Sequence, residues 1–539
     1  MISLIIRTVI TLILSVIAYI YCIRYNLHMF QLNGYKNREH MSWLHKYMKR
    51  QWVLYAGILL SVISIFLGRS VAADIPVWLW LMLIIVVYRA LNGMSVKKKL
   101  VYTARVKRLT ACIIVTDIII LGIGTVTALK LSGPECAFVV FKALLLTVVS
   151  LKFVSCVICN VINTPIEKGV NAHFINDAKR RLKDAPDMSI IGVTGSYGKT
   201  SVKYYLKELL SVKYNVLITP ESFNTPMGVV RTVREHLKPG TDIFVCEMGA
   251  RHVGDIKELC ELVHPDHGII TSIGPQHLDT FYTIDNIIST KYELADSIPE
   301  GGKLFLNGDN EYVLTKAGEY KDPIMYYSES GGMGPEGSKK GYQAENITLD
   351  EHGTSFDICT PDGERESYQM QLIGAHNVIN VVGAIAVAHE FGIPLRQLRI
   401  PVRRLQAVKH RLELIRRGDM YIIDDAYNSN PVGSSAALDT LDMFKGLKVM
   451  ITPGMVELGD KEEEYNREFG RHAAAVCDHI LLVGRRRAIP IYEGAVSAGI
   501  DEARIKVFDR FEDAYSYAQG ISYDGMKYIL LENDLPDNY

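Results

Sequence analysis

Acidic residues are scarce in the first 162 positions of this 539-residue chain, which hold 4 of its 59 Asp and Glu but 18 of its 59 Lys and Arg. The formal net charge of zero therefore hides a surplus of cations there and an equal surplus of acids in the rest. A cysteine metal centre is also lacking: the nine cysteines, from Cys22 to Cys477, form no ligand constellation. Cys156 and Cys159 make a CxxC, but inside an apolar run with no second pair and no histidines, which reads as buried thiols. No internal repeat or low-complexity tract occurs, and Gly331–Gly341 is merely a Gly-rich loop, so repeat architectures are excluded. The basic loops offer no folded platform and lie at the ends of apolar runs, which argues against nucleic acid as a partner.

What fills the acid-poor part is apolarity. Runs at about 3–23, 52–68, 74–90, 110–130 and 138–162 each approach the ~20 residues that a helix needs to cross a bilayer. They predict an α-helical membrane domain over 1–162 with about five spans, the short second and third runs being alternatively one re-entrant hairpin. No small-residue cleavage site follows Cys22, so the first run is expected to be retained. The segment from Arg24 to Arg50 carries six basic residues and that from Arg89 to Arg108 seven, against one each in 69–75 and 130–137. That asymmetry predicts a multi-pass protein among membrane lipids, with the N-terminus outside and everything after 162 in the cytoplasm. Asp117 and Lys152 fall within predicted spans at comparable depth and are expected to pair. Lys142, near a span end, is expected to snorkel.

The length exceeds one core and suggests about three domains. After a linker at 163–188, short β runs alternate with amphipathic helical stretches: Ser189–Gly195, Asn215–Pro220, Asp242–Gly249, Gly268–Gly274 and Lys303–Gly308. Such alternation predicts an α/β domain over 189–400 with a covered, mostly parallel sheet. From about 324 to 373, alternating polarity with Pro-Asp-Gly turn signals suggests attached antiparallel hairpins, and a helix follows from about His376 to Phe391. A second series (Met420–Ala426, Leu447–Pro453, His479–Gly484, Ile505–Asp509, Lys527–Glu532) predicts a Rossmann-like α/β domain over 401–539, with a hinge near 400.

Chemistry concentrates at residues 192–201, Gly-Val-Thr-Gly-Ser-Tyr-Gly-Lys-Thr-Ser, between a strand and a helix. Gly195 and Gly198, with Ser196, can turn backbone N–H groups around phosphate oxygens. Lys199 adds a charge, and Thr200 or Ser201 offers a hydroxyl to Mg²⁺ at a helix N-terminus. This P-loop predicts an ATP or GTP site, although Val193 stands where strict Walker spacing has Gly. Glu247 ends one predicted strand and His277 follows another, at the sheet edge where doubly wound folds bind ligands; Lys291 follows on a helix.

Thr194–Thr200, Glu247-Met248-Gly249-Ala250, Gly274-Pro275-Gln276-His277-Leu278, Gly374-Ala375-His376-Asn377-Val378-Ile379-Asn380 and Asp424-Asp425-Ala426-Tyr427-Asn428-Ser429-Asn430-Pro431 together resemble the Mur ligase superfamily. The Tyr-Asn-x-Asn-Pro run is similar to the branch that ligates D-alanyl-D-alanine to a UDP-N-acetylmuramoyl tripeptide. The resemblance covers about 189–539 and implies ATP-dependent amide-bond formation through an acyl phosphate in peptidoglycan precursor synthesis. It implies that Thr200 and Glu247 hold one Mg²⁺, with His277 and a carbamylated Lys291 serving a second. His376 and Asn377 would contact adenine, Asp425 the ribose and Arg411 the ATP phosphate. Asn224, Thr225, Asn428 and Asn430 would meet substrate, and the loop Pro453–Gly459 would face the amine. Two departures stand out: membrane spans replace the family's UDP-gripping domain, and 531–539 lacks its Lys-Gly-Ser-Arg-like run. The carboxylate substrate could thus be a soluble precursor, a lipid-linked one or a polymer end of polyglutamate type. A membrane-tethered ATP-binding switch is the reading from another class, and the set Thr200, Glu247, His277, Lys291 argues against it.

Overall fold

The computed structural model describes residues 2–46, 52–66, 71–93, 99–320, 324–329, 341–350, 353–426, 429–456 and 458–533. Two compact units divide after Ala172. The first is helical: α1 (Ile2–Leu32), α2 (Asn37–Lys46), α3 (Trp52–Phe66), α4 (Ile75–Gly93), α5 (Ala104–Ser150) and the start of α6 (Lys152–Lys183). By length and composition α1, α4 and α5 could each cross a membrane, while α3 is a shorter apolar helix of 15 residues. Within α5 the helix breaks at Gly133 (φ 80°) ahead of Pro134, between the fourth and fifth predicted runs. The fifth run is shared by the end of α5 and the start of α6, which meet at Leu151. α6 then carries helix through most of the expected linker.

Leu54, Val77, Trp80, Leu81, Tyr88, Leu146 and Val149 form the inside of this bundle, whereas Ile5, Ile13, Leu79, Val86, Ile118 and Ile123 point outward. An outer face this apolar suits lipid rather than water. The buried charges Asp74, Asp117, Lys142 and Lys152 are paired. Asp117 accepts from Lys152 Nζ, as expected, and from Tyr19 Oη at 2.6 Å. Lys142 departs from expectation: it does not snorkel but is fully buried, 2.7 Å from Asp74, which also accepts from Arg7 Nε at 2.6 Å. The Asp74 carboxylate, in the turn before α4, offsets the cost of burying the ammonium, which makes a route to the surface unnecessary.

The second unit holds two sheets. β1 (Ser189–Thr194), α7 (Lys199–Leu210), β2 (Val216–Ile218), α8 (Pro226–His236), β3 (Ile243–Glu247), α9 (Asp255–Val263), β4 (His267–Ile270), α10 (Leu278–Phe281), α11 (Ile284–Tyr292), β5 (Leu304–Asn307), α12 (Glu311–Ala317) and β6 (Ile324–Ser328) follow the predicted alternation. β7 (Gly341–Asp350), β8 (Gly353–Cys359) and β9 (Arg365–Met370) extend the same sheet, in the order β2-β3-β1-β4-β5-β6-β7-β8-β9. Its parallel part reaches further than expected, because β5–β6 and β6–β7 also pair parallel and only β7–β8–β9 are antiparallel. The Gly-rich loop before Gly341 lies outside the described residues. β3 shows why parallel strands read as unbroken apolar runs: Ile243 and Val245 face one core with Leu206 and Leu209 of α7, and Phe244 and Cys246 face another with Val230, Val233 and Leu259.

α13 (Ala375–Glu390) packs under this sheet, and α14 (Leu395–Arg404) runs across the expected boundary at 400. The second sheet comprises β10 (Glu413–Arg417), β11 (Met420–Asp425), α15 (Pro431–Asp442), β12 (Leu447–Thr452), α16 (Glu462–Val476), β13 (His479–Val483), α17 (Arg485–Ser497), β14 (Ile505–Phe508), α18 (Phe511–Gly520) and β15 (Lys527–Glu532). Its order is β10-β11-β15-β12-β13-β14, parallel except for the edge strand β10, as a Rossmann-like domain requires.

Candidate active site

Register brings the chemistry to one edge. Val193 of β1 lies beside Glu247 of β3 and Ile269 of β4, so the P-loop, the Glu247 carboxylate and the turn toward His277 all leave the sheet at its C-terminal end. Gly198 (φ 80°) takes a left-handed backbone, and a Cβ on Gly195 would sit 2.1 Å from Thr271 Oγ1; both positions need glycine. Lys199 curls back over the loop, donating to the carbonyls of Gly195 at 2.7 Å and Ser196 at 2.8 Å. Burial, with Arg411 nearby, lowers its pKa to about 8. Ser196 Oγ bonds the carbonyl of Gly274 at 3.0 Å, and Ser201 is buried on the first turn of α7.

Thr200 Oγ1 donates to Glu247 Oε1 at 3.1 Å, with both residues buried. The same oxygen accepts from Asn224 Nδ2 at 3.0 Å, and Lys203 Nζ pairs with Oε2 at 2.8 Å. Burial works to raise the Glu247 pKa, but Lys203, Lys199 and Asn224 together hold it below the usual carboxylate value. A hydroxyl and a carboxylate so placed beside a phosphate loop are hard oxygen donors that fit Mg²⁺. Lys291 is fully buried on α11, and burial together with the Lys199 charge pushes its pKa well below that of an ordinary lysine. His277 caps α10 with a left-handed backbone (φ 54°). Among the described residues no three His, Cys, Asp or Glu side chains make a ready metal cluster.

The expected nucleotide contacts divide. His376, in the first turn of α13, has its Nδ1 buried without a partner among the described residues, and burial lowers its pKa to about 4. Asn377 is engaged at both ends, with Oδ1 accepting from Tyr205 Oη at 2.9 Å and Nδ2 donating to the Ile373 carbonyl at 2.8 Å. Arg411 spans the two domains of this unit, its Nη2 lying 3.4 Å from Thr200 Oγ1. It follows His410 (φ 61°), which adopts a glycine-like backbone and bonds Asp424 at 2.8 Å. Burial raises Asp425 to about 6, with Arg411 acting in opposition, and its Oδ1 accepts from Leu412 N at 3.2 Å.

Of the expected substrate residues, Asn224 lies at the Glu247 carboxylate, and Thr225 occupies the N-cap of α8 without a side-chain cap bond. Asn430 caps α15, accepting from Gly433 N at 2.8 Å, and Asn428 lies outside the described residues. Gly459, ending the loop Pro453–Gly459, approaches Leu278 beside His277.

Two residues escaped sequence reasoning. Lys203 stands three positions after Thr200, hence on the same helix face, a spacing that could have disclosed it. Glu532 ends β15 beside Asp425, fully buried, accepting from Ser429 Oγ and from Thr452 Oγ1 at 2.9 Å; nothing local marks a strand-end glutamate as buried.

Residues 193–388 match the Mur ligase middle domain and 410–531 the Mur ligase glutamate ligase domain. The UDP-N-acetylmuramoyl-tripeptide–D-alanyl-D-alanine ligase of Bacillus subtilis is 33% identical over 311 residues, 57% of this chain and 65% of that protein. The enzyme of that name from Escherichia coli is 31% identical over 299 residues, 55% of this chain and 65% of that protein. The chain thus spans just under two thirds of the length of these relatives. A crystal structure of MurF from Acinetobacter baumannii superposes with a TM-score of 0.60 at 28% identity, covering 67% of this chain and 77% of that one. MurF from Thermotoga maritima, in complex with ADP, shares the fold with a TM-score of 0.59 at 22% identity, over 68% of this chain and 80% of that one.

Proposed function

This chain belongs to the Mur ligase family, and on that premise we propose that it is a membrane-anchored, ATP- and Mg²⁺-dependent peptide ligase that joins D-alanyl-D-alanine to a UDP-N-acetylmuramoyl tripeptide. The observation that carries the reading is the buried Thr200–Glu247 pair set against the P-loop lysine. Phosphoryl transfer is mostly positioning and charge neutralisation. Backbone N–H groups of 195–199 and the Lys199 ammonium bind the ATP phosphates, leaving the Gly195 and Ser196 carbonyls. Thr200 and Glu247 would hold Mg²⁺, which supplies charge neutralisation on the phosphates. Arg411 brings a second fixed cation from the C-terminal domain. The substrate carboxylate attacks the γ-phosphorus and ADP leaves; the amine then attacks the acyl phosphate carbon, and the tetrahedral intermediate expels inorganic phosphate, forming the amide.

Lys291 fits a further role. A buried, deprotonated amine is the form that adds CO₂, losing a proton to give a carbamate, and His277 would share the second metal with it. His376 and Asn377 would flank the adenine, Asn377 by exchanging Tyr205 for the base, and Asp425 would meet the ribose. The apolar helices α1, α4 and α5 support anchoring and favour one second reading, in which the carboxylate substrate is lipid-linked. The test is phosphate release by the detergent-solubilised full chain with Mg-ATP and UDP-muramoyl tripeptide, with and without D-alanyl-D-alanine, and mass detection of the product. A pentapeptide supports the proposal; ATP turnover that requires a lipid-linked tripeptide instead replaces it with the second reading, and no acceptor-dependent turnover refutes both.

A further inference from the structure

Lys203 lies where two loops of the site are joined, yet no step above employs it. Its ammonium is fully buried. It pairs with Glu247 Oε2 at 2.8 Å and donates to the backbone carbonyl of Glu221. Glu221 takes a left-handed backbone (φ 42°), a conformation that costs a non-glycine residue energy and persists only where neighbours hold it. Three residues on, Asn224 Nδ2 returns to Glu247 Oε1 at 3.0 Å, and Gly249 N donates to the Asn224 carbonyl at 2.9 Å. Lys203, Glu221, Asn224 and Glu247 thus close a ring between the segment 221–225 and the metal carboxylate.

We propose that Lys203 is a positioning residue for the carboxylate substrate: through the Glu221 carbonyl it holds the segment 221–225 in its strained form, and through Oε2 it turns Glu247 Oε1 toward Thr200. The segment presents Asn224 and Thr225 to the bound carboxylate, a part of the inference that rests on the ligase reading. Holding Oε2 with a cation leaves Oε1 as the oxygen facing Thr200, so one side chain orders both loops without touching substrate. A lysine that served packing alone would need neither bond, and an apolar chain would fill its place.

Hydrogen–deuterium exchange of the full-length, ligand-free protein reads the first part without any substrate. In Lys203→Met, exchange of peptides covering 221–225 rises by about tenfold or more while β1 and β5 peptides stay protected, and Lys203→Arg returns it to within about threefold of wild type. Should the methionine variant fail to fold, Lys203→Gln keeps an amide in the same space and is held to the same criterion. Kinetics reads the second part: the KM for UDP-muramoyl tripeptide rises about tenfold or more, while the affinity for ADP, measured by direct binding, changes less than about threefold. Unchanged exchange over 221–225, or a fall in ADP affinity parallel to the rise in KM, overturns the proposal. A wild-type protein that forms no product with that tripeptide sinks the ligase reading alone, because the exchange result stands without it.

Discussion

Replacing Glu532 with glutamine should remove a pH dependence from the stability of the C-terminal domain. The carboxyl is fully buried at the end of β15, next to Asp425 in register, with hydroxyl donors from Ser429 and Thr452. Burial, with Asp425 acting in the same direction, raises its pKa from 4.5 to about 8. Between those values the folded protein holds one proton more than the unfolded chain, so stability is greatest at low pH and falls as pH rises, by about 1.4 kcal/mol per unit. From pH 6 to 8 the loss is about 2 kcal/mol, or roughly thirtyfold in the opening equilibrium. Asp425, raised to about 6, contributes mainly below that window. All four tryptophans (43, 52, 78 and 80 in the numbering) lie in the N-terminal unit, so their fluorescence does not report on this domain. Amide exchange of the Lys527–Glu532 peptide does, once corrected for the intrinsic dependence of exchange on pH. Wild type should lose protection from pH 6 to 8, whereas Glu532→Gln, isosteric and unable to ionise, should hold it. Parallel curves for the two proteins would refute the buried-acid argument.

Lys199→Ala should nearly abolish ADP formation: a cation about 4 Å from a phosphoryl oxygen at an effective dielectric of 20 is worth about 4 kcal/mol, some thousandfold in turnover. Activity within about tenfold of wild type would take the loop lysine out of the mechanism. Asp74→Asn strands Arg7 and Lys142, both of which it now binds, and should destabilise the N-terminal unit by about 3–5 kcal/mol. Here tryptophan fluorescence during thermal unfolding in detergent is the right probe, since the Trp78 indole, four residues from Asp74, donates to Thr11 Oγ1 of α1 at 2.9 Å; an unchanged melting temperature would mean that the ion triad is not needed.

Local signals were legible in the sequence and long-range pairing was not. Strands such as β1 and β3, buried on both faces, appear as apolar runs, and the phosphate loop follows from its glycines and the Gly-Lys-Thr-Ser run between a strand and a helix rather than from strict Walker spacing. Thr200 and Glu247, proposed together from a family likeness, do meet in space. The edge strand β10 was missed because Leu-Ile between glutamate and two arginines has no clear period. Lys142 reads as a snorkelling residue because hydropathy places a lysine along a span without naming its partner, which here lies 68 positions away. Asn377 illustrates the same limit, since its partner Tyr205 is 172 residues distant.

The contact between the two α/β domains of the second unit runs through a strained turn. Arg411 is flanked by two residues with left-handed backbones, His410 (φ 61°) and Leu412 (φ 47°). Such conformations cost of order 1–3 kcal/mol each and persist only when something holds them. The holders are adjacent: Asp424 takes the His410 ring at 2.8 Å and Asp425 takes Leu412 N at 3.2 Å. The two carboxylates at the end of β11 therefore aim the arginine at Thr200, 211 residues earlier in the chain. A nucleotide whose ribose engaged Asp425 would draw on a group that already fixes Arg411, so ribose recognition and phosphate charge would be coupled through two neighbouring aspartates. Asp424→Ala, which removes no proposed nucleotide contact, should accordingly weaken ATP affinity measured by direct binding, because the strained turn that carries the arginine would relax with it; unchanged affinity would refute the coupling.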